Sequence, residues 1–174
     1  MDLVSKAKGG DKDAFIRLME ENKLAMYKTA KAILRNDEDS ADAIQETILT
    51  CYKNIGTLKH NQYFRTWLTR ILINKCNDII RQNNNLIFAD IYDTEECFSP
   101  EQANDEKIAV NNCLNSLSEH DQLIMVLYYV NGFRIREIGQ ILNLNENTVK
   151  TQLSRGKERF KTVYCMQEGG YQHG

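Results

Sequence analysis

The chain has 174 residues, of which 42% are hydrophobic and 26% charged, a globular composition rather than a disordered one. With 22 basic and 24 acidic side chains its formal charge is -2, so the total alone does not point to a nucleic-acid partner. No apolar run approaches a membrane span and the N-terminus lacks a signal-peptide core, which predicts a cytoplasmic chain without direct membrane insertion.

A single proline, Pro100, predicts an all-α chain. Asp11 is placed to cap a helix bearing Ala14, Phe15, Leu18 and Met19, and a second run passes through Leu24, Tyr27, Ala30 and Leu34. Asn36 and Asp37 break that run. A third helix starts near Asp39, with Ile44, Ile48 and Tyr52 on one face, and ends at Gly56. The fourth carries Phe64, Trp67, Leu68, Ile71, Leu72, Ile79 and Ile80, an apolar arc wide enough to sit between other helices. Trp67 belongs to that arc by spacing, and Lys75 inside it must snorkel or pair.

Residues 86–106 hold seven acidic and no basic side chains, together with Pro100. The stretch is too long for an ordinary loop in a compact domain and reads as a flexible acidic linker. The expected organisation is a helical bundle over 1–85, the linker over 86–104, a second module over 105–166 and a frayed tail over 167–174. The -2 total then resolves into +3 for residues 1–85, -7 for 86–106 and +2 for 107–174.

The second module begins with Ile108, Val110 and Leu114, and Ser118 caps a helix with Leu123, Ile124, Leu127 and Tyr128 that Gly132 ends. A short helix with Ile135, Ile138 and Ile141 follows, then a turn at Asn143, then a helix capped by Asn145 with Val149, Leu153 and Phe160 inward. Gly156 beside that stripe allows close packing. Short helix, tight turn and longer helix are the helix-turn-helix layout.

Catalysis has little to work with. His60, His120 and His173 are scattered, and no phosphate loop, nucleophile elbow or metal-binding His pair is present. Cys51, Cys76, Cys97, Cys113 and Cys165 form no C-x-x-C pair, which predicts reduced thiols and no metal site. The chain is expected to have no catalytic residues, no cofactor and no enzymatic activity.

On the last helix, Asn147, Thr148, Lys150, Thr151, Ser154 and Arg155 lie on or beside the face turned away from the core. Between Thr148 and Lys161 five basic residues stand against one acidic, a local positive field suited to a DNA major groove. A plain solvated face explains Lys157, Arg159 and Lys161 equally well. On the fourth helix Arg70, Asn74, Asn77 and Arg81 form a polar stripe able to hold phosphates and hydrogen-bond an exposed base. Asp39, Asp42, Gln45 and Glu46 gather near the start of the third helix. They suit the helix dipole or a basic partner surface, and residue chemistry leaves both open.

The run Asp39-Ser40-Ala41-Asp42-Ala43-Ile44-Gln45-Glu46-Thr47-Ile48 resembles the D-A-x-D-x-x-Q-E-x-F stretch of extracytoplasmic-function sigma factors. Phe64-Arg65-Thr66-Trp67-Leu68-Thr69-Arg70-Ile71 through Asn74 is similar to their F-R-x-W-L-x-R-I-x-x-N helix. Glu137-Ile138-Gly139, Thr148-Val149-Lys150 and Leu153-Ser154-Arg155-Gly156 resemble their E-I-A, T-V-K and L-x-R-A signatures, with glycine at two alanine positions. The resemblance implies a sigma2-like bundle and a sigma4-like helix-turn-helix domain in a stress-responsive alternative sigma factor. Its expected partners are core RNA polymerase, promoter DNA and an anti-sigma factor, membrane-associated in the family habit. By position, Asp42, Gln45 and Glu46, with Asp39 beside them, match the polymerase-binding patch. Asn74 matches the contact to a flipped -10 base, with the Lys59–Phe64 loop as its pocket. Lys150, Thr151, Ser154 and Arg155 match the helix that reads the -35 duplex. The rival readings are a stand-alone repressor or activator that uses only the helix-turn-helix, and a pure protein-interaction module.

Overall fold

The computed structural model describes residues 2–87, 113–114 and 117–169, and among these there are helices and turns but no strand. The acidic linker beyond Ile87, Pro100, and the expected start of the second module at Ile108 and Val110 lie outside the described residues.

The first module is built from α1 (Leu3–Lys8), α2 (Lys12–Leu34), α3 (Asp37–Asn54) and α4 (Phe64–Ile87), with 3-10 turns at Ile55–Thr57 and Asn61–Tyr63 between the last two helices. Asp11 caps α2 by accepting from the Ala14 N–H at 3.0 Å. The two runs expected between Asp11 and Leu34 are one helix. Nothing from Glu20 to Lys23 breaks a helix, and Asn22 turns its amide back onto the Leu18 carbonyl at 2.8 Å. Arg35, in the left-handed conformation at φ 63°, ends α2, and Asn36 caps α3 by accepting from the Asp39 N–H at 2.7 Å. Asp37 joins the two helices, taking hydrogen bonds from Lys31 at 2.7 Å and Tyr27 at 2.8 Å. Those bonds hold its carboxyl below the usual range. Phe15, Leu18, Ala43, Cys51, Phe64, Leu68 and Leu72 fill the core, and Trp67 packs against it as its spacing implies.

The second module comprises α5 (Glu119–Met125), a π-helical turn (Val126–Val130), α6 (Ile135–Leu142) and α7 (Glu146–Gly169). Ser118 caps α5 and Asn145 caps α7, the latter accepting from the Thr148 N–H at 2.7 Å. Gly132 takes φ +69° after the π turn, and Asn143 takes φ 56° between α6 and α7. α7 continues to Gly169, past Gln167 where a tail was expected. Ile124, Leu127, Ile138, Val149 and Leu153 form this module's core.

The modules pack against each other. Ile73 of α4 belongs to the second core, and Ile33 of α2 packs against both cores. The wide apolar arc of α4 is therefore shared between α2 and α3 on one side and the second module on the other. At the seam, Asn131 donates its amide to the Thr29 hydroxyl at 2.8 Å, with both side chains buried. Arg65 donates to the Asn131 carbonyl and lies 5.1 Å from the Phe133 ring centre. Arg70 donates Nε to the Gln140 carbonyl at 3.1 Å, and its Nη2 reaches the same oxygen. A linker joining independent modules gives no warning of this seam, because Thr29, Ile33 and Ile73 look like ordinary one-module positions.

Candidate nucleic-acid interface

Three surfaces bring the expected functional residues together. The first is a cleft between α3 and α4, of about 630 Å³, lined by Asp39, Asp42, Gln45 and Glu46 from one helix and Lys75, Asp78, Gln82 and Asn83 from the other. Four carboxylates face one lysine there. Asn36 holds Asp39 through a 2.8 Å bond and Asn83 adds another at 3.1 Å, so the carboxylate at the mouth is oriented. Lys75 resolves its place in an apolar arc by reaching Glu46 at 3.6 Å. Leu49, 53% exposed, adds an apolar contact to the acidic rim. Such a surface fits a basic partner with an apolar anchor.

The second surface is the outer stripe of α4. Arg70, Asn74, Asn77 and Arg81 are all exposed. Arg81 lies 3.4 Å from Asp78, whereas Arg70 is bound to the second module at Gln140. Lys59 and His60 are exposed in the preceding loop, and the His60 and Tyr63 rings meet edge-on at 6.0 Å.

The third is the helix-turn-helix of α6 and α7. Asn147, Lys150, Thr151, Ser154 and Arg155 are exposed while Val149 and Leu153 are buried. Thr148 is half-buried, and its hydroxyl joins the cap by donating to Asn145 at 2.9 Å. Thr151 donates to the Asn147 carbonyl at 2.9 Å. Arg155 has a second engagement: Nη2 and Nε lie 2.8 Å and 3.1 Å from the two carboxylate oxygens of Asp121, which is 1% exposed. Burial pushes the Asp121 carboxyl up, but hydrogen bonds from Arg155 and Ser118 and the charges of Arg155 and Arg159 outweigh it and hold the group below its ordinary value. This pair fixes the roll of α7 on α5. It was not anticipated, because no local spacing links positions 34 residues apart.

A fourth feature has no counterpart among the sequence expectations. An apolar groove of about 650 Å³ runs between α5, the π turn and α7, lined by Met125, Val126, Tyr129, Val130 and Phe160, with Ser154, Lys157 and Lys161 among its polar lining. Tyr129 and Val130 are each about half exposed, a partner-binding character. The signal available was Tyr129-Val130 standing before Gly132, in the turn that follows α5, where core packing leaves both side chains over. Among the described residues no cluster of His, Cys, Asp and Glu could hold a metal, and no helix is long and apolar enough to cross a membrane.

Among the described residues, an acidic cleft, an arginine–amide stripe and a helix-turn-helix sit on two packed helical modules, the class of protein that carries a DNA-reading helix beside a second helical bundle. Two family models match this chain, "Sigma-70 region 2" over residues 18–85 and "Sigma-70, region 4" over residues 107–160. The chain belongs to the sigma-70 family, among its extracytoplasmic-function members, and is a transcription initiation factor rather than an enzyme. It is 28% identical over 173 residues to the ECF RNA polymerase sigma factor SigW of Bacillus subtilis, covering 91% of this chain and 92% of that one. It is 25% identical over 158 residues to SigM of Mycobacterium tuberculosis, covering 91% and 81%. Among solved structures, CnrH in complex with the cytosolic domain of CnrY matches with a TM-score of 0.68 at 21% identity, over 92% of this chain and 94% of that one. The sigma factor RpoE in complex with the anti-sigma factor NepR from Bartonella quintana matches with a TM-score of 0.72 at 18% identity, over 84% and 96%.

Proposed function

We propose that this sigma factor binds core RNA polymerase through the α3–α4 cleft, with Asp39, Asp42, Gln45 and Glu46 as its grip. It reads the -35 duplex with Asn147, Thr148, Lys150, Thr151, Ser154 and Arg155. Lys59, Arg70, Asn74, Asn77 and Arg81 engage the single-stranded -10 element. Phosphates are met by the arginines and lysines, base edges by the amides and hydroxyls. The observation that carries this reading is the acidic cleft on a chain that also holds a helix-turn-helix, because a stand-alone repressor has no use for it. The protein works in the cytoplasm, where polymerase and promoter are.

The packed arrangement of the two modules is the resting form. Elements numbered -35 and -10 lie about 25 base pairs apart, or roughly 85 Å of duplex at 3.4 Å per pair. Yet Arg70 is hydrogen-bonded to the helix-turn-helix itself. Both elements are read only after the seam parts. An anti-sigma factor, membrane-associated as in the family habit, stabilises the packed form until a signal removes it. The apolar groove beside α7 is a surface it can cover. Pull-down of core polymerase tests the assignment. Wild type is expected to be retained and Asp42→Lys with Glu46→Lys lost, with -35 duplex binding intact in both. Equal retention would remove the cleft from the polymerase interface.

A further inference from the structure

Helix α1 and the loop Leu58–Tyr63 are some 50 to 60 residues apart in sequence, yet one side chain of the loop is held entirely by α1. Lys8 donates its ammonium to the Leu58 carbonyl at 2.6 Å and to Asn61 Oδ1 at 3.1 Å. Asn61 Nδ2 donates to the Ser5 hydroxyl at 2.6 Å and to the Asp2 carboxylate at 3.2 and 3.3 Å. Asp2 also caps α1 by accepting from the Ser5 N–H at 2.6 Å, and the hydrogen bonds from Ser5, then Asn61, hold its carboxyl below the ordinary range. Both ends of the Asn61 amide are therefore engaged by a single helix.

The rest of the loop has little else to fix it. Leu58 and Phe64 are buried at its two ends, while Lys59, His60, Gln62 and Tyr63 between them are exposed. Its internal backbone bonds run from the Tyr63 N–H to the His60 carbonyl at 3.1 Å and from the Phe64 N–H to the Asn61 carbonyl. The edge-on His60–Tyr63 pair thus stands on a short arch whose midpoint, Asn61, is pinned from behind.

We infer that α1 positions the base-selecting loop, with Lys8 and Ser5 acting through Asn61 to set where His60 and Tyr63 stand. The inference rests on the reading of this loop as the pocket for the extruded -10 base. Base discrimination depends on donor and acceptor placement, which a loosened arch blurs. The network is partly solvent-exposed and at the edge of the core, so its loss reaches selectivity before stability. Lys8 and Ser5 are positioning residues and touch no DNA.

The test uses holoenzyme reconstituted from core polymerase and full-length protein. Open-complex formation is measured on a promoter that the wild type uses, with each of the four bases in turn at every -10 position. Lys8→Met and the milder Ser5→Ala are expected to reduce the preference at one position by roughly tenfold, the order of one well-placed hydrogen bond. Melting temperature and -35 duplex affinity are expected to stay unchanged. His60→Ala is expected to change the preference at the same position. A uniform loss on all four bases in Lys8→Met and Ser5→Ala would make α1 a plain structural staple and overturn the inference. So would an unaltered preference in both while His60→Ala shifts it. No change in any of the three variants would remove the loop itself from base selection, and the underlying reading with it.

Discussion

Replacing Asp121 with asparagine keeps the shape of a buried side chain and removes its charge. In the native protein the carboxylate accepts from Arg155 at 2.8 and 3.1 Å while being 1% exposed. An asparagine offers one oxygen, and its amide N–H groups then face a guanidinium that has only donors. Hydrogen bonds to charged groups contribute about 1.5–3 kcal/mol each when dry. Arg155 is half-exposed, so the loss is expected near the low end, about 2 kcal/mol in all. For a module of this size that lowers the melting temperature by on the order of 10 °C. The sign with pH follows from the lowered carboxyl pKa. A group depressed in the folded state stabilises fully above its ordinary value, about 3.9, and that stabilisation disappears as pH falls through the depressed one. Thermal unfolding of wild type and Asp121→Asn, followed by circular dichroism from pH 7 down to pH 3, should show a gap that is widest at neutrality and closes in acid. Equal melting at pH 7, or a gap that widens in acid, would show that the Asp121 charge does not stabilise the fold.

Two glycines should behave oppositely. A Cβ on Gly139 would lie 2.7 Å from the Leu144 carbonyl oxygen, so Gly139→Ala must push the turn apart and is expected to cost about 1–3 kcal/mol. On Gly156 the nearest atoms are Met125 Cγ at 3.1 Å and Sδ at 3.4 Å, a side chain that can yield. Gly156→Ala should therefore be neutral or gain up to about 1 kcal/mol in helix propensity, and denaturant titration of both variants decides it. Thr29→Ala with Arg65→Ala should weaken the seam, because the Asn131 amide loses its acceptor and the Asn131 carbonyl its donor. Small-angle scattering should then report a larger radius of gyration, and an unchanged radius would contradict the seam's role. Burial pushes the Cys51 and Cys76 thiols up to about 12, so in native protein a maleimide should label exposed Cys165 and spare both. Equal labelling of all three would show the first core to be open.

Much of the fold was legible in local chemistry. Asp11, Ser118 and Asn145 cap the helices their positions suggest, and Asn143 supplies the left-handed turn of the helix-turn-helix. Lys75 finds Glu46, a partner its place in the apolar arc required. Other features needed the third dimension. Helix α1 is too short to announce itself by periodicity, and the polar run Glu20–Lys23 reads equally as a break or as a solvated helical face. The Asp121–Arg155 pair, the Asn61 network and the seam at Thr29, Asn131 and Arg70 join distant positions, and no pattern in a window of one helix reports them. The candidate site behaved likewise. The outward faces of α3, α4 and α7 could be named from spacing, but not that Arg70 and Arg155 are each already bound to a protein group.

In this protein one chain couples polymerase to a promoter. Run-off transcription with purified core RNA polymerase, the full-length protein and a promoter library reads that coupling out. Discrete transcripts from a shared -35 and -10 pattern are expected, abolished by charge reversal at Asp42 and Glu46 and weakened by Lys150→Ala and Asn74→Ala. A preparation that binds duplex DNA through α7, yet starts no transcript with core polymerase on any promoter, would contradict it.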